Sequence, residues 1–128
     1  MDNTVLIVED HSAIRNALKQ WLKLEFPRIN IIDASTGEDA VSIVKAIMPE
    51  VILMDISLPG INGIEATKQI IETSPSSKVI ILSVYDDEVY RERAASAGIS
   101  AYVPKRLMNI DLIPTMKRLM KNGDTTDF

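Results

Sequence analysis

The 128-residue chain has no cysteine and a single histidine, His11. The first absence removes disulfides, thiolate metal sites and a thiol nucleophile together, and the second removes any imidazole-rich metal site. No apolar run approaches the length of a membrane span, and the opening MDNTVLIVED lacks the basic start and cleavage region of a secretory leader. A cytoplasmic location with no membrane partner is therefore expected. An excess of positive charge is missing as well. The net charge of −4 argues against nucleic acid as a direct partner, because binding to a phosphate backbone needs a basic face. Basic residues gather only toward the end, at Lys105, Arg106, Lys117, Arg118 and Lys121. Lys117 and Lys121 are one helical step apart, as on a solvated helix face.

What is present fits one globular domain. The composition, 46% hydrophobic and 25% charged, is that of an ordinary folded protein, and the length suffices to bury a core without staples. Short β-branched apolar runs alternate with longer segments of helical period. TVLIV (4–8), INIID (29–33), VILM (51–54), KVIIL (78–82) and AYV (101–103) read as strands. Between them, Ile14, Ala17, Leu18, Trp21 and Leu22 mark a first helix, with Ser12 placed to cap it and Pro27 beyond its end. A second helix opens near Ser35 or Thr36 and stops before Pro49. A third covers 64–73, and a fourth runs from Asp86 or Asp87 to Gly98. The fifth starts around 109–111, admits Pro114 in its first turn, and ends at Asn122-Gly123. Residues 1–122 are thus expected to form the domain, and 123–128 a tail or the start of a linker. Strands that each precede a helix predict an α/β doubly wound five-stranded parallel sheet. The first, third and fourth strands are apolar at nearly every position, as central strands buried on both faces are.

In such sheets the functional crevice lies beyond the carboxyl ends of the strands, where strand order reverses. Glu9 and Asp10 close the first strand, Asp55 the third and Ser83 the fourth, and Lys105 follows the fifth. In a flavodoxin-like order, 2-1-3-4-5, the first and third strands are neighbours and bring three carboxylates together. Such a cluster calls for a cation, and carboxylate oxygens without imidazole or thiolate select a hard ion, Mg²⁺ foremost. A carboxylate beside Mg²⁺ can attack phosphorus in line, with the Lys105 ammonium and the Ser83 hydroxyl meeting the phosphoryl oxygens. Any one of these residues alone is more often an ordinary loop or strand-end side chain.

The stretches VLIVEDH, LMDISLPGINGIEA and ILSVYDDEVYRERAASAGISAYVPK closely resemble the receiver domain of two-component response regulators, in particular the NarL/FixJ-like branch. The resemblance spans almost the whole chain and implies a CheY-like (βα)5 fold. Carried over position by position, it implies Asp55 as phosphoacceptor and Glu9 and Asp10 as the acidic pair that organises Mg²⁺. It adds the main-chain carbonyl of Ser57 as a further metal ligand. It further implies Ser83 as switch hydroxyl, Tyr102 as switch aromatic and Lys105 as phosphate-binding lysine, with Ser57, Val84 and Tyr85 tuning hydrolysis of the acyl phosphate. The sequence departs from the pattern in three places. Glu9 stands where many relatives have aspartate, Val84 is bulkier than the usual small residue, and Lys105 is preceded by Pro104 and followed by Arg106.

The function implied is that of a phosphoacceptor switch that promotes its own phosphorylation and dephosphorylation, not an enzyme that turns over a substrate. Its partners would be a sensor histidine kinase and, once phosphorylated, a second copy of itself. Transcription through a DNA-binding domain outside this chain is the implied output. The alternative is a stand-alone or vestigial receiver acting as a protein-interaction module. Phosphotransferases of the haloacid-dehalogenase type have a second acid where Ser57 stands, and a flavin phosphate would be repelled by Glu9 and Asp10.

Overall fold

In the computed structural model, which describes residues 3–120, five strands pair in parallel: Thr4–Val8 (β1), Asn30–Ala34 (β2), Val51–Asp55 (β3), Lys78–Ser83 (β4) and Ala101–Pro104 (β5). Their order is β2-β1-β3-β4-β5, the flavodoxin-like order that the family resemblance implies. The central strands β1, β3 and β4 are buried along almost their whole length, whereas β2 at the edge is mostly half-exposed. Burial on two faces explains why the central runs show no polar alternation.

The helices are Ser12–Glu25 (α1), Gly37–Ile47 (α2), Gly63–Thr73 (α3), Glu88–Ser96 (α4) and Met108–Leu119 (α5). Period-two alternation divides the core between the two faces of the sheet. Leu6, Val8, Ile52 and Met54 pack with Val44 of α2, Ile70 of α3 and Ala94 of α4. Val5, Ile7, Leu53 and Ile80 pack with Leu18 and Leu22 of α1 and with Leu112 and Met116 of α5. Truncating a fully buried leucine such as Leu22 to alanine is expected to cost about 2–5 kcal/mol.

Caps fix where the helices begin. Thr36 accepts the Asp39 amide (3.1 Å), Asn62 the Glu65 amide (2.9 Å) and Asp87 the Tyr90 amide (3.0 Å), each satisfying an otherwise orphaned N–H. Ser12 does not act as predicted. It is the first helical residue of α1, and the extended residue before it, His11, is the N-cap without a side-chain cap bond, because its ring is engaged by Glu9. A 3₁₀ turn at Lys105–Leu107 leads straight into α5, so the helix starts earlier than expected and Pro114 lies inside it instead of in its first turn. The missing N–H deprives the Ile110 carbonyl of its helical partner, at a residue exposed enough (63%) for water to take its place. The helix ends at Leu119, with Met120 extended. The predicted stop at Asn122-Gly123, Lys121 and the 123–128 tail lie outside the described residues.

Register then places the chemistry. Val8 stands opposite Met54, so the residues that follow, Glu9 and Asp55, emerge side by side at the carboxyl ends of β1 and β3. Ser83 stands opposite Pro104, which delivers Lys105 to the same rim. Gly63 is required here, since a Cβ on it would meet the Asp55 carbonyl oxygen at 2.3 Å and the Ile56 Cα at 2.8 Å. The close approach of α3 to the end of β3 holds the Asp55 backbone in place.

Candidate functional site

At the carboxyl rim, Glu9, Asp55 and Ser83 are all buried, at 1%, 4% and 0% exposure. Two buried carboxylates side by side need compensation, and Lys105 supplies it. Its ammonium lies 3.2 Å from Glu9 Oε1 and 3.5 Å from Asp55 Oδ2. The other Asp55 oxygen, Oδ1, accepts the Ser57 amide N–H at 3.1 Å, a bond within the turn that follows β3. Glu9 Oε2 accepts the His11 amide at 3.1 Å and faces the His11 ring Nδ1 at 3.0 Å. The Arg15 guanidinium donates to the Glu9 carbonyl (2.8 Å) and to Asp33 (3.1 Å), which ties the acidic loop to α1 and β2.

These contacts drive the two carboxyls apart in acidity. Burial pushes Asp55 up, the Glu9 charge adds to this, and Lys105 and the Ser57 amide offset only part, so Asp55 holds its proton more tightly than an ordinary aspartate. Burial also pushes Glu9 up, but the His11 hydrogen bonds and the Lys105 ammonium outweigh it and leave Glu9 more acidic than usual. The carboxylate bond and the charge of Asp10 raise the exposed His11 ring above its ordinary value.

The sequence places Asp10 and Asp55 in one acidic cluster with Glu9. Among the described residues, the donor atoms that gather within 4.8 Å of one another come from Glu9, Asp10 and His11, with Asp55 set across the Lys105 ammonium from Glu9. Asp10 Oδ1 is buried and accepts no hydrogen bond, although the His11 Nδ1 stands 3.3 Å away. The only sequence signal at His11 is adjacency to two acids.

The second half of the rim carries Ser83 and Tyr102. Ser83 Oγ accepts the Tyr85 amide at 2.9 Å, which leaves its proton free to donate elsewhere. Tyr102 is half-buried against the core and donates its hydroxyl to the Tyr85 carbonyl at 2.7 Å. Tyr85 stacks on Tyr90 of α4 at 4.5 Å. Ser57, Tyr85 and Tyr90 are among the residues lining a cavity of about 200 Å³ beside the rim. Val84 is 68% exposed. The Arg91 guanidinium, 4.7 Å from the Tyr102 ring centre, has no signature in the sequence, because the two residues meet only through the fold. No cis peptide bond occurs among the described residues, Pro104 included.

A model of the response regulator receiver domain matches residues 5–117. The chain belongs to this receiver family. It is 38% identical over 93% of its length to transcriptional regulatory protein DegU of Brevibacillus brevis, covering 50% of that protein. It is 30% identical over 88% to the nitrate/nitrite response regulator protein NarL of Escherichia coli K12, covering 52% of it. The crystal structure of a LuxR-family DNA-binding response regulator from Staphylococcus aureus superposes with a TM-score of 0.84 at 30% identity, over 91% of this chain and 98% of that one. The receiver is thus of the NarL/FixJ-like kind, a module of two-component response regulators and a signalling switch, with a CheY-like fold. It spans about half the length of the curated relatives it matches. No helix among the described residues is long and apolar enough to cross a membrane.

Proposed function

We propose that this receiver takes a phosphoryl group from a sensor histidine kinase onto Asp55, in a Mg²⁺-dependent reaction, and changes shape to control an output. The observation that carries the reading is the Lys105 ammonium held between Glu9 (3.2 Å) and Asp55 (3.5 Å) at the carboxyl rim of the sheet. A buried carboxylate paired to a single cation, open to a turn, is a nucleophile whose charge is already partly compensated.

The donor set suits a hard cation, and the buried, unbonded Asp10 Oδ1 is an oxygen that lacks the partner a cation would give it. Glu9, Asp10, Asp55 and the Ser57 carbonyl are the residues to hold Mg²⁺. When bound, the ion supplies charge neutralisation for the phosphoryl oxygens. The receiver's own groups do the rest. An Asp55 oxygen forms the new bond to phosphorus as the bond to the donor breaks, and the departing imidazole of a phosphohistidine keeps the bonding electrons and takes a proton from solvent. Lys105 meets the developing charge, and the Ser83 hydroxyl donates to a phosphoryl oxygen.

The acyl phosphate carries a charge of about −1.5 to −2 relative to a neutral parent side chain, and Ser83 moves toward it. Space opens for Tyr102, and the face built from α4, β5 and α5 is remodelled. Stronger self-association belongs to the same reading, as does control of transcription by a DNA-binding domain, which the likeness to the transcriptional regulatory protein DegU and to the DNA-binding response regulator of Staphylococcus aureus supports. Ser57, Val84 and Tyr85 set how fast water reaches the acyl phosphate. A cytoplasmic address agrees with a kinase partner.

The test is intact mass after incubation with acetyl phosphate, with Mg²⁺ or chelator, beside Asp55→Asn. One phosphoryl adduct that needs both Mg²⁺ and Asp55 supports the reading. No adduct in any condition, with no Mg²⁺ binding at millimolar concentration, would favour a vestigial receiver that acts through its surface alone.

A further inference from the structure

The loop between β4 and α4 is bonded as one unit. Ser83 Oγ accepts the Tyr85 amide (2.9 Å) and the Tyr85 carbonyl accepts the Tyr102 hydroxyl (2.7 Å). The next residue, Asp86, grips two arginines from different elements. Arg91 of α4 donates Nε at 2.9 Å and Nη2 at 2.5 Å to Oδ1, and Arg106 of the 3₁₀ turn donates Nη2 at 2.5 Å to Oδ2. Arg91 in turn lies over the Tyr102 ring at 4.7 Å, and Arg106 directly follows Lys105. Asp86 therefore has one oxygen on the cation that covers Tyr102 and the other on the neighbour of Lys105. The hydrogen bonds from Arg106 and Arg91, with the charges of both, hold its carboxyl below the usual aspartate range.

We propose that Asp86 is a positioning residue for the switch, which by gripping Arg91 and Arg106 keeps Tyr102 on the Tyr85 carbonyl and joins that residue to the Lys105 turn. The inference rests on the reading of Ser83 and Tyr102 given above. A guanidinium is attracted to a ring face, but a long side chain left free spends little time there. Asp86 fixes two of the Arg91 donors and so orders the cation over the ring. Its single negative charge also lies between the two arginines and offsets their mutual repulsion. Because Ser83 Oγ holds the Tyr85 amide, a movement of Ser83 toward Asp55 that keeps this bond carries Tyr85 and Asp86 with it and strains the Tyr102 hydroxyl bond and the Arg106 bond together. Asp86 thereby opposes the switch until Ser83 is pulled.

The side chains of Asp86, Arg91 and Arg106 are 29%, 44% and 65% exposed, so solvent and salt weaken each pair. Its loss is expected to shift the balance of Tyr102 positions by about two- to fivefold, a bias and not full activation.

The experiment reads Tyr102 directly, without phosphorylation. The chain has three tyrosines, Tyr85, Tyr90 and Tyr102, so protein labelled with 3-fluorotyrosine gives three ¹⁹F resonances, and Tyr102→Phe identifies one. Asp86→Asn preserves shape and removes the charge. The Tyr102 resonance of Asp86→Asn is expected to move, wild type at about 1 M salt to move the same way as the pairs are screened, and Asp86→Glu to lie nearer wild type. A Tyr102 resonance in Asp86→Asn that coincides with wild type, in a protein of unchanged circular dichroism, would overturn the proposal. Equal displacement in Asp86→Glu and Asp86→Asn would do so too, because it would mean that the charge is not what acts. Beryllium fluoride with Mg²⁺ tests the other reading separately. If wild-type Tyr102 ignores it, the phosphoacceptor role of Asp55 is in doubt, while the Asp86 variants still decide the present inference.

Discussion

Lys105 Nζ lies 3.5 Å from Asp55 Oδ2, and the same ammonium lies 3.2 Å from Glu9. One cation therefore serves two buried carboxylates, and among the described residues neither has another lysine or arginine paired to its side-chain oxygens. Lys105→Met keeps the length of the stem and removes the charge. Adduct formation with acetyl phosphate should slow by about 100-fold, the scale of losing one stabilising donor at a charged transition state. Both carboxyls should also become weaker acids, as ¹³C titration of the side chains can follow. A Lys105→Met protein phosphorylated at the wild-type rate would remove Lys105 from the chemistry.

Much of this arrangement could be read from the residues, and the reason is geometric. Strand-end residues of a parallel sheet share one rim, so Glu9, Asp55, Ser83 and Lys105 are brought together by topology alone once the order 2-1-3-4-5 is inferred. Side-chain pairing across loops has no such rule. His11 against Glu9, Arg91 over Tyr102 and Asp86 between two arginines depend on loop paths that no periodicity encodes. Pro114 lies in the helix interior and not in the first turn for a related reason: the 3₁₀ turn at Lys105–Leu107 draws the start of α5 forward.

Gly63 offers a sharp structural prediction. A Cβ at this position would stand 2.3 Å from the Asp55 carbonyl oxygen and 2.8 Å from the Ile56 Cα, and backbone atoms cannot swing away as a flexible side chain can. Gly63→Ala should destabilise the receiver by about 1–3 kcal/mol through overpacking. It should also slow phosphorylation, since relief requires α3 or the end of β3 to shift. Thermal melts and the acetyl phosphate reaction check both. A stable variant with normal reactivity would show that the approach relaxes without touching Asp55.

His11→Ala separates structure from chemistry in the acidic loop. Without the ring, Glu9 loses its largest single acidifying contact but keeps the residue-11 amide and Lys105, so it should rise toward the ordinary glutamate value. The acid limb of the stability curve should then move to higher pH. The phosphoryl adduct should still form and still require Mg²⁺, within about tenfold of the wild-type rate, or about 1.4 kcal/mol. Complete loss of the adduct would make His11 part of the reacting site.

Tyr85 and Val84 test what controls the lifetime of the acyl phosphate. Tyr85 is held by its stack on Tyr90 (4.5 Å) and by its amide bond to Ser83, so it stands as a fixed wall beside the rim, whereas Val84 is 68% exposed. Of the two, Tyr85 should carry the greater part of the shielding. The double variant Val84→Ala, Tyr85→Ala should lose phosphate about threefold faster, a barrier change of roughly 0.7 kcal/mol, and Val84→Ala alone should change it little. Decay of the adduct by mass decides this, and a double variant that decays no faster than wild type would end the shielding idea.

Asp55→Asn should make the unphosphorylated protein more stable at neutral pH. Burial and the Glu9 charge raise Asp55 above the ordinary aspartate range, so the folded chain binds this proton more tightly than the unfolded chain does. Between the ordinary value and the raised one, the folded state holds more protons, and stability falls as pH rises through that window; the deficit then persists at higher pH. Asparagine has no proton to lose and escapes the deficit. Glu9 works in the opposite sense, adding stability above the ordinary glutamate value that is lost as pH falls through its lowered one, but it is present in both proteins and largely cancels in the comparison. Melting curves should therefore place Asp55→Asn above wild type at about pH 7 and bring the two together below the ordinary aspartate range. Each 3 °C or so of separation corresponds to about 1 kcal/mol at this chain length. Equal melting temperatures at neutral pH would mean that Lys105 compensates the buried Asp55 charge in full.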